Sequence, residues 1–170
     1  MSQSLGQIYL HIVFSTKHRQ PFLQDPSVRK ELCAYLVGIC SNLKCPSIQI
    51  DGWHDHVHIL CKLSRTIYVS DLVRELKRSS SEWIKERFSL LQDFYWQAGY
   101  GVFSACPSIL DALIHYIQTQ DHHHGELTFQ DEFRGICKSI MSKSMNAIVG
   151  IRLELNPFRV RQFHSLLNPG

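Results

Sequence analysis

Three histidines stand at every second position in the stretch Gly52-Trp53-His54-Asp55-His56-Val57-His58-Ile59-Leu60. Residues two apart on an extended chain project from the same side, so a strand here would present His54, His56 and His58 together. Two neutral imidazoles and one further oxygen ligand can hold a divalent cation and leave positions open for a substrate phosphate. His56 and His58 are the candidate nitrogen ligands and Gln120 the candidate oxygen ligand. Tyr116 precedes Gln120 by four residues, which stacks the two on one face of a helix. A phenol becomes an effective nucleophile toward a phosphate whose developing oxygen charge is neutralised by a cation. Taken singly, the histidines read as solvated imidazoles on a strand and Tyr116 as a packing residue of a helix; taken together they describe phosphoryl chemistry.

Such a site needs rigid elements beneath it. Ile59, Leu60 and Leu63 continue the histidine segment as a buried strand over about 55–63. Upstream, residues 7–16 alternate through Ile8, Leu10, Ile12 and Phe14, with Tyr9, His11 and Val13 on the other face, which predicts a strand covered on both sides. Asp25-Pro26 is a helix start, and Val28, Leu32, Tyr35, Leu36, Ile39 and Leu43 recur at helical spacing until Lys44-Cys45-Pro46 stops the pattern. A short strand over 47–51 turns at Gly52 into the histidine strand, as an antiparallel neighbour. Ser70-Asp71 opens a second helix, to about residue 88, with Leu72, Val73, Leu76, Trp83 and Ile84 inward. The aromatic stretch 94–104, punctuated by Gly99 and Gly101, reads as a fourth strand. A third helix follows over about 108–121, closed by His122-His123-His124-Gly125, and a fourth is suggested from Thr128. The order β-α-β-β-α-β-α predicts an α+β fold, an antiparallel sheet with helices packed on it in the ferredoxin-like manner, with the histidine strand central.

Composition narrows the class without deciding it. The hydrophobic fraction of 44% against 19% charged residues describes a globular chain, and no apolar run approaches the ~20 residues that span a bilayer. No charged leader or apolar signal core precedes the first strand, so a cytoplasmic location is expected. The six cysteines include no C-x-x-C pair and are expected in the core as reduced thiols. A net charge of +3 is compatible with a nucleic-acid partner but does not require one. Lys17 and Arg19 after the first strand, and Lys77 and Arg78 on the second helix, are the candidate phosphate-backbone contacts.

Four motifs occur in a fixed order: HIVFSTKHRQPFL, HDHVHIL, WQAGYGVFS and YIQTQ. In these the chain resembles the single-tyrosine HUH transposases of bacterial insertion sequences, the TnpA type, and their domesticated relatives associated with repetitive palindromes. The resemblance covers residues 8–133. It implies that His56 and His58 are the HUH histidines that bind a divalent metal, magnesium or manganese, and that Gln120 completes the metal site. It implies that Tyr116 attacks single-stranded DNA and becomes joined to a 5′ phosphate, releasing a 3′ hydroxyl. It further implies binding to DNA hairpins at element ends and a homodimer, commonly with the HUH pair from one subunit and the tyrosine from the other.

The resemblance stops before the end of the chain. Residues 1–138 form the expected transposase domain, whereas 139–170 is an atypical basic tail without periodicity, in place of an acidic ending near Glu-Arg-Tyr-x-Trp-Asp. With permitted codons chosen for residues 139–152, reading one nucleotide earlier gives Tyr-Asn-Val-Glu-Val-Asp-Glu-Arg-Tyr-Cys-Trp-Asp and then a stop. The tail is therefore expected to be a frameshift product, an idea that incompatible codons in the gene would overturn. Two other readings stay open. Histidine-triad nucleotide hydrolases also space three histidines with apolar residues, but Asp55 breaks that pattern and Tyr116 and Gln120 would have no role in it. A decayed or domesticated relative would be a non-catalytic binder of single-stranded DNA hairpins, gripping through basic and aromatic residues.

Overall fold

The computed structural model describes residues 6–119, all within one compact unit of the chain. Strands β1 (Tyr9–Ser15), β2 (Ser47–Gly52), β3 (His56–Lys62) and β4 (Gly101–Ala105) alternate with helices α1 (Pro26–Asn42), α2 (Val69–Arg87) and α3 (Leu110–Gln118). The sheet runs β2-β3-β1-β4 with every neighbour antiparallel, so the histidine strand and β1 are the two inner strands. This is the α+β, ferredoxin-like arrangement the sequence predicts. Gln120, the histidine run at 122–124, the helix suggested from Thr128 and the tail over 139–170 lie outside the described residues.

The alternation of β1 and β3 decides which layer each face meets. Leu10, Ile12 and Phe14 of β1 and Val57, Ile59 and Cys61 of β3 point into one core with Leu32, Leu36, Leu72, Leu76 and Ile84 of α1 and α2. On the opposite face Leu60 and Ala105 pack with Ile117, and Tyr9, Leu113 and Tyr116 close around them. Two helices therefore cover one side of the sheet, and α3 lies on the side that carries the histidines. Gln118 Nε2 donates to Gln49 Oε1 at 3.2 Å and ties that helix to the edge strand β2.

Helix α1 starts as read: Asp25 accepts from the Ser27 amide at 2.8 Å, and Pro26 occupies the first turn, where its missing N–H is not needed. Its end uses a residue that sequence reasoning would not choose. Lys44 has φ 56°, the left-handed conformation normally given to glycine past a helix C-terminus, while the Cys45 amide reaches back to the Cys40 carbonyl at 2.9 Å. A side chain there costs about 1 kcal/mol. Lys44→Gly is expected to stabilise the protein by about that amount, read as a higher urea midpoint with unchanged slope.

The fourth strand is shorter than expected. Residues 94–100 form no ladder beyond a Thr16–Trp96 bridge, and β4 begins only at Gly101. The carbonyls of Gln97, Ala98 and Gly99 all accept from Lys77 Nζ, at 2.7, 3.2 and 2.7 Å, so these acceptors are satisfied by a side chain, while the Gln97 amide donates to the Ser15 carbonyl of β1 at 2.8 Å. Cys33, Cys40, Cys45, Cys61 and Cys106 are free thiols, and burial pushes Cys40 and Cys61 up to about 12, which suits them to packing rather than reactivity. Among the described residues no helix is long and apolar enough to cross a membrane.

Candidate active site

The strand register builds the site. Directly opposed residues of an antiparallel pair share a face, and β1 places Val13 against His58 and Ser15 against His56. His56 and His58 both point toward α3, and both are 0% exposed. Tyr116 meets them from the helix: its ring stands edge-on to His58 with centroids 5.8 Å apart. The structure thus brings His56, His58 and Tyr116 together within one chain. His54 does not join them. The expectation that all three histidines share a strand face fails because β3 begins at His56, and His54 lies in the connecting bend, stacked on Trp53 at 4.2 Å, with its carbonyl accepting from the Leu23 amide.

Each imidazole is held through its Nδ1. His56 Nδ1 lies 2.7 Å from Asp55 Oδ1, and the other carboxylate oxygen of Asp55 accepts from Arg19 Nε at 3.0 Å. Burial pushes the Asp55 carboxyl up, but the bond and charge of His56 and the Arg19 guanidinium outweigh it and hold the carboxyl below its ordinary range. An ionised Asp55 is an acceptor only, so the proton between the pair belongs to His56 Nδ1, which in the neutral ring leaves the lone pair on Nε2. His58 Nδ1 lies 2.9 Å from Nε2 of His11, a buried histidine of β1 on the same face. Burial brings His11 down to about 4 and so keeps it neutral near pH 7.

This is the arrangement by which proteins orient imidazole ligands of metals, fixing one nitrogen so that the other presents its lone pair. Among the described residues no three His, Cys, Asp or Glu side chains converge as a complete metal site. Two imidazoles are therefore what this part of the chain can offer, which fits a cation of intermediate hardness completed by an oxygen ligand from elsewhere. Asp55→Asn would remove the charge that fixes His56 and strand Arg19. It is expected to weaken manganese binding by roughly 10–100-fold, measured by calorimetric titration, with the fold intact by circular dichroism.

The loop feeding the site is tightly determined. An added Cβ on Gly52 would lie 2.7 Å from the His56 carbonyl oxygen, a backbone atom that already accepts from the Trp53 amide. Gly52→Ala is expected to cost about 1–3 kcal/mol and to shift His56, visible as lower stability together with weaker manganese binding. On the β1 side, His18 and Arg19 both have positive φ, 53° and 56°, without being glycine. Thr16 locks that turn, donating from Oγ1 to the Gln20 carbonyl at 2.6 Å and from its amide to the Asp55 carbonyl at 2.8 Å. The strained turn aims Arg19 at Asp55.

The four basic candidates divide accordingly. Arg19 serves Asp55, and Lys77 is half-buried against three carbonyls; burial lowers its pKa to about 8, while those acceptors favour the ammonium. Arg78 pairs with Glu75 and Glu82 on the exposed face of α2, and Lys17 lies over the Tyr95 ring at 5.8 Å. Sequence reasoning passed over His11 and Asp55. The signal for His11 was parity: it alternates with Leu10 and Ile12 and so falls on the histidine face once β1 and β3 pair.

The family model for IS200-like transposases matches residues 4–120, more than half of the chain, spanning both the histidine pair and Tyr116. The chain belongs to the IS200-like transposase family. A DNA-processing role follows from that membership. Two solved structures share the fold of this transposase. One, from Deinococcus radiodurans and assigned as a transposase, is 22% identical with a TM-score of 0.58, covering 71% of this chain and 98% of its own. The other is a REP-associated tyrosine transposase bound to a REP hairpin, 16% identical with a TM-score of 0.53, covering 75% of this chain and 76% of its own. A comparison with curated proteins returned no match.

Proposed function

We propose that this transposase cleaves and rejoins single-stranded DNA by transesterification, with Tyr116 as nucleophile and His56, His58 and Gln120 as ligands of magnesium or manganese. The observation that carries the reading is the meeting of Tyr116 with His58 on an enclosed sheet face where both histidines are fixed through Nδ1. When bound, the cation supplies charge neutralisation at the phosphate oxygens. The remaining work falls to the chain. Tyr116 Oη loses its proton and bonds to phosphorus, the bond from phosphorus to the 3′ oxygen breaks, and that oxygen leaves as a hydroxyl after taking up a proton. The 5′ phosphate stays on Tyr116 until a 3′ hydroxyl on another strand reverses the exchange. One phosphodiester is traded for another, so no nucleotide cofactor is consumed.

His56 and His58 hold their positions during this exchange because Asp55 and His11 restrain them. The substrate is proposed to be a single-stranded DNA hairpin at an element end, handled by a homodimer; the REP hairpin carried by one structural neighbour supports the hairpin. The test is a denaturing gel with labelled oligonucleotides from the DNA flanking the gene. A slow-migrating adduct that forms with manganese or magnesium and is lost with chelator is the expected result. A native-gel shift without any adduct would replace the reading with that of a non-catalytic hairpin binder.

A further inference from the structure

We propose that His11 is a positioning residue that sets the tautomer of His58 and thereby leaves the lone pair of its Nε2 free for a cation. The inference rests on the reading of His58 as a ligand and deepens it. The contact at 2.9 Å between His11 Nε2 and His58 Nδ1 joins two ring nitrogens, and only one of them carries the proton. If His11 donates, His58 keeps its proton on Nε2 and has no lone pair to offer there. If His58 donates from Nδ1, its Nε2 lone pair is exposed to a cation. One proton shared between the two rings thus decides whether the second HUH histidine can bind.

The fold gives this contact little freedom. Both rings are buried, nearly coplanar with 22° between their planes and centroids 5.1 Å apart, and carried on adjacent inner strands through the pairing of His11 with Leu60 and Val13 with His58. Phe103, opposite His11 on β4, packs against its ring with centroids 6.2 Å apart. The two ligands are therefore restrained differently. His56 leans on an ionised carboxylate, which can only accept, so its tautomer is forced by charge. His58 leans on a neutral imidazole that can accept or donate, so its tautomer depends on His11 being protonated at Nδ1 and accepting at Nε2.

The test reads the tautomer directly, in the metal-free full-length protein, from nitrogen-15 NMR of the imidazole rings. Wild type is expected to show His58 protonated at Nδ1. His11→Gln places a carbonyl acceptor near the same position and is expected to keep that tautomer, with manganese affinity within about threefold of wild type. His11→Leu removes the acceptor; it is expected to mix the tautomers of His58 and to weaken manganese binding by roughly 10–100-fold. His58 protonated at Nε2 in wild type, or an unchanged Nδ1 tautomer in His11→Leu, would overturn the proposal. If His11→Leu does not fold, the wild-type spectrum and His11→Gln still decide it. The expected tautomers without manganese binding to wild type would sink the metal reading and leave the role of His11 standing.

Discussion

Tyr116→Phe is expected to abolish formation of the DNA adduct while leaving manganese affinity and thermal stability near wild type. The substitution removes one oxygen from a half-buried ring and keeps the edge that faces His58. The loss should be large because, in the proposed reaction, the phenol oxygen is the atom that bonds to phosphorus. Removing the nucleophile of an enzyme that works through a covalent intermediate lowers turnover by roughly 10⁴-fold or more. Single-turnover cleavage of a labelled strand, followed on denaturing gels, measures it. Residual cleavage within tenfold of wild type would mean that another group attacks the phosphate.

His56→Ala is expected to have an effect of similar size on activity by a different route. With two imidazoles in the described site, deleting one leaves a single nitrogen ligand, so manganese binding should fall below detection by calorimetry and cleavage should fall with it. The fold should survive, because Asp55 retains Arg19 and the β1 to β3 ladder is made by backbone groups. Excess manganese should restore part of the activity of Asp55→Asn but none of that of His56→Ala. Unchanged manganese affinity in His56→Ala, with cleavage still lost, would indicate that His56 acts on substrate and not on the cation.

The sheet and helices were legible because their signals are local. The apolar alternation of residues 8–14, the Asp25-Pro26 start and the periodic face of α2 each specify an element without knowledge of its neighbours. Strand pairing was legible only in part. The short turn at Gly52 dictates that β2 and β3 are neighbours, whereas the register that sets Val13 against His58 depends on packing, and with it the discovery of His11. His54 was misplaced by assuming that an alternating triplet is all strand; the chain instead spends it on a bend that brings Asp55 to His56. The length of β4 was overestimated because Lys77, distant in sequence, satisfies the carbonyls that a ladder would otherwise claim. That Tyr116 lies on a helix was legible from the sequence, but its approach to His58 follows from α3 covering the histidine face.

The central claim is that Tyr116 forms the covalent bond to DNA, and peptide mapping of the adduct tests it most directly. The protein would be incubated with manganese and single-stranded DNA from the ends of its own element, the DNA trimmed by nuclease, and the protein digested for mass spectrometry. The account predicts one modified peptide, carrying a 5′-phosphonucleotide on Tyr116, with a free 3′ hydroxyl on the released strand. A nucleotide on any other residue, or cleaved DNA with no protein attached, would contradict it.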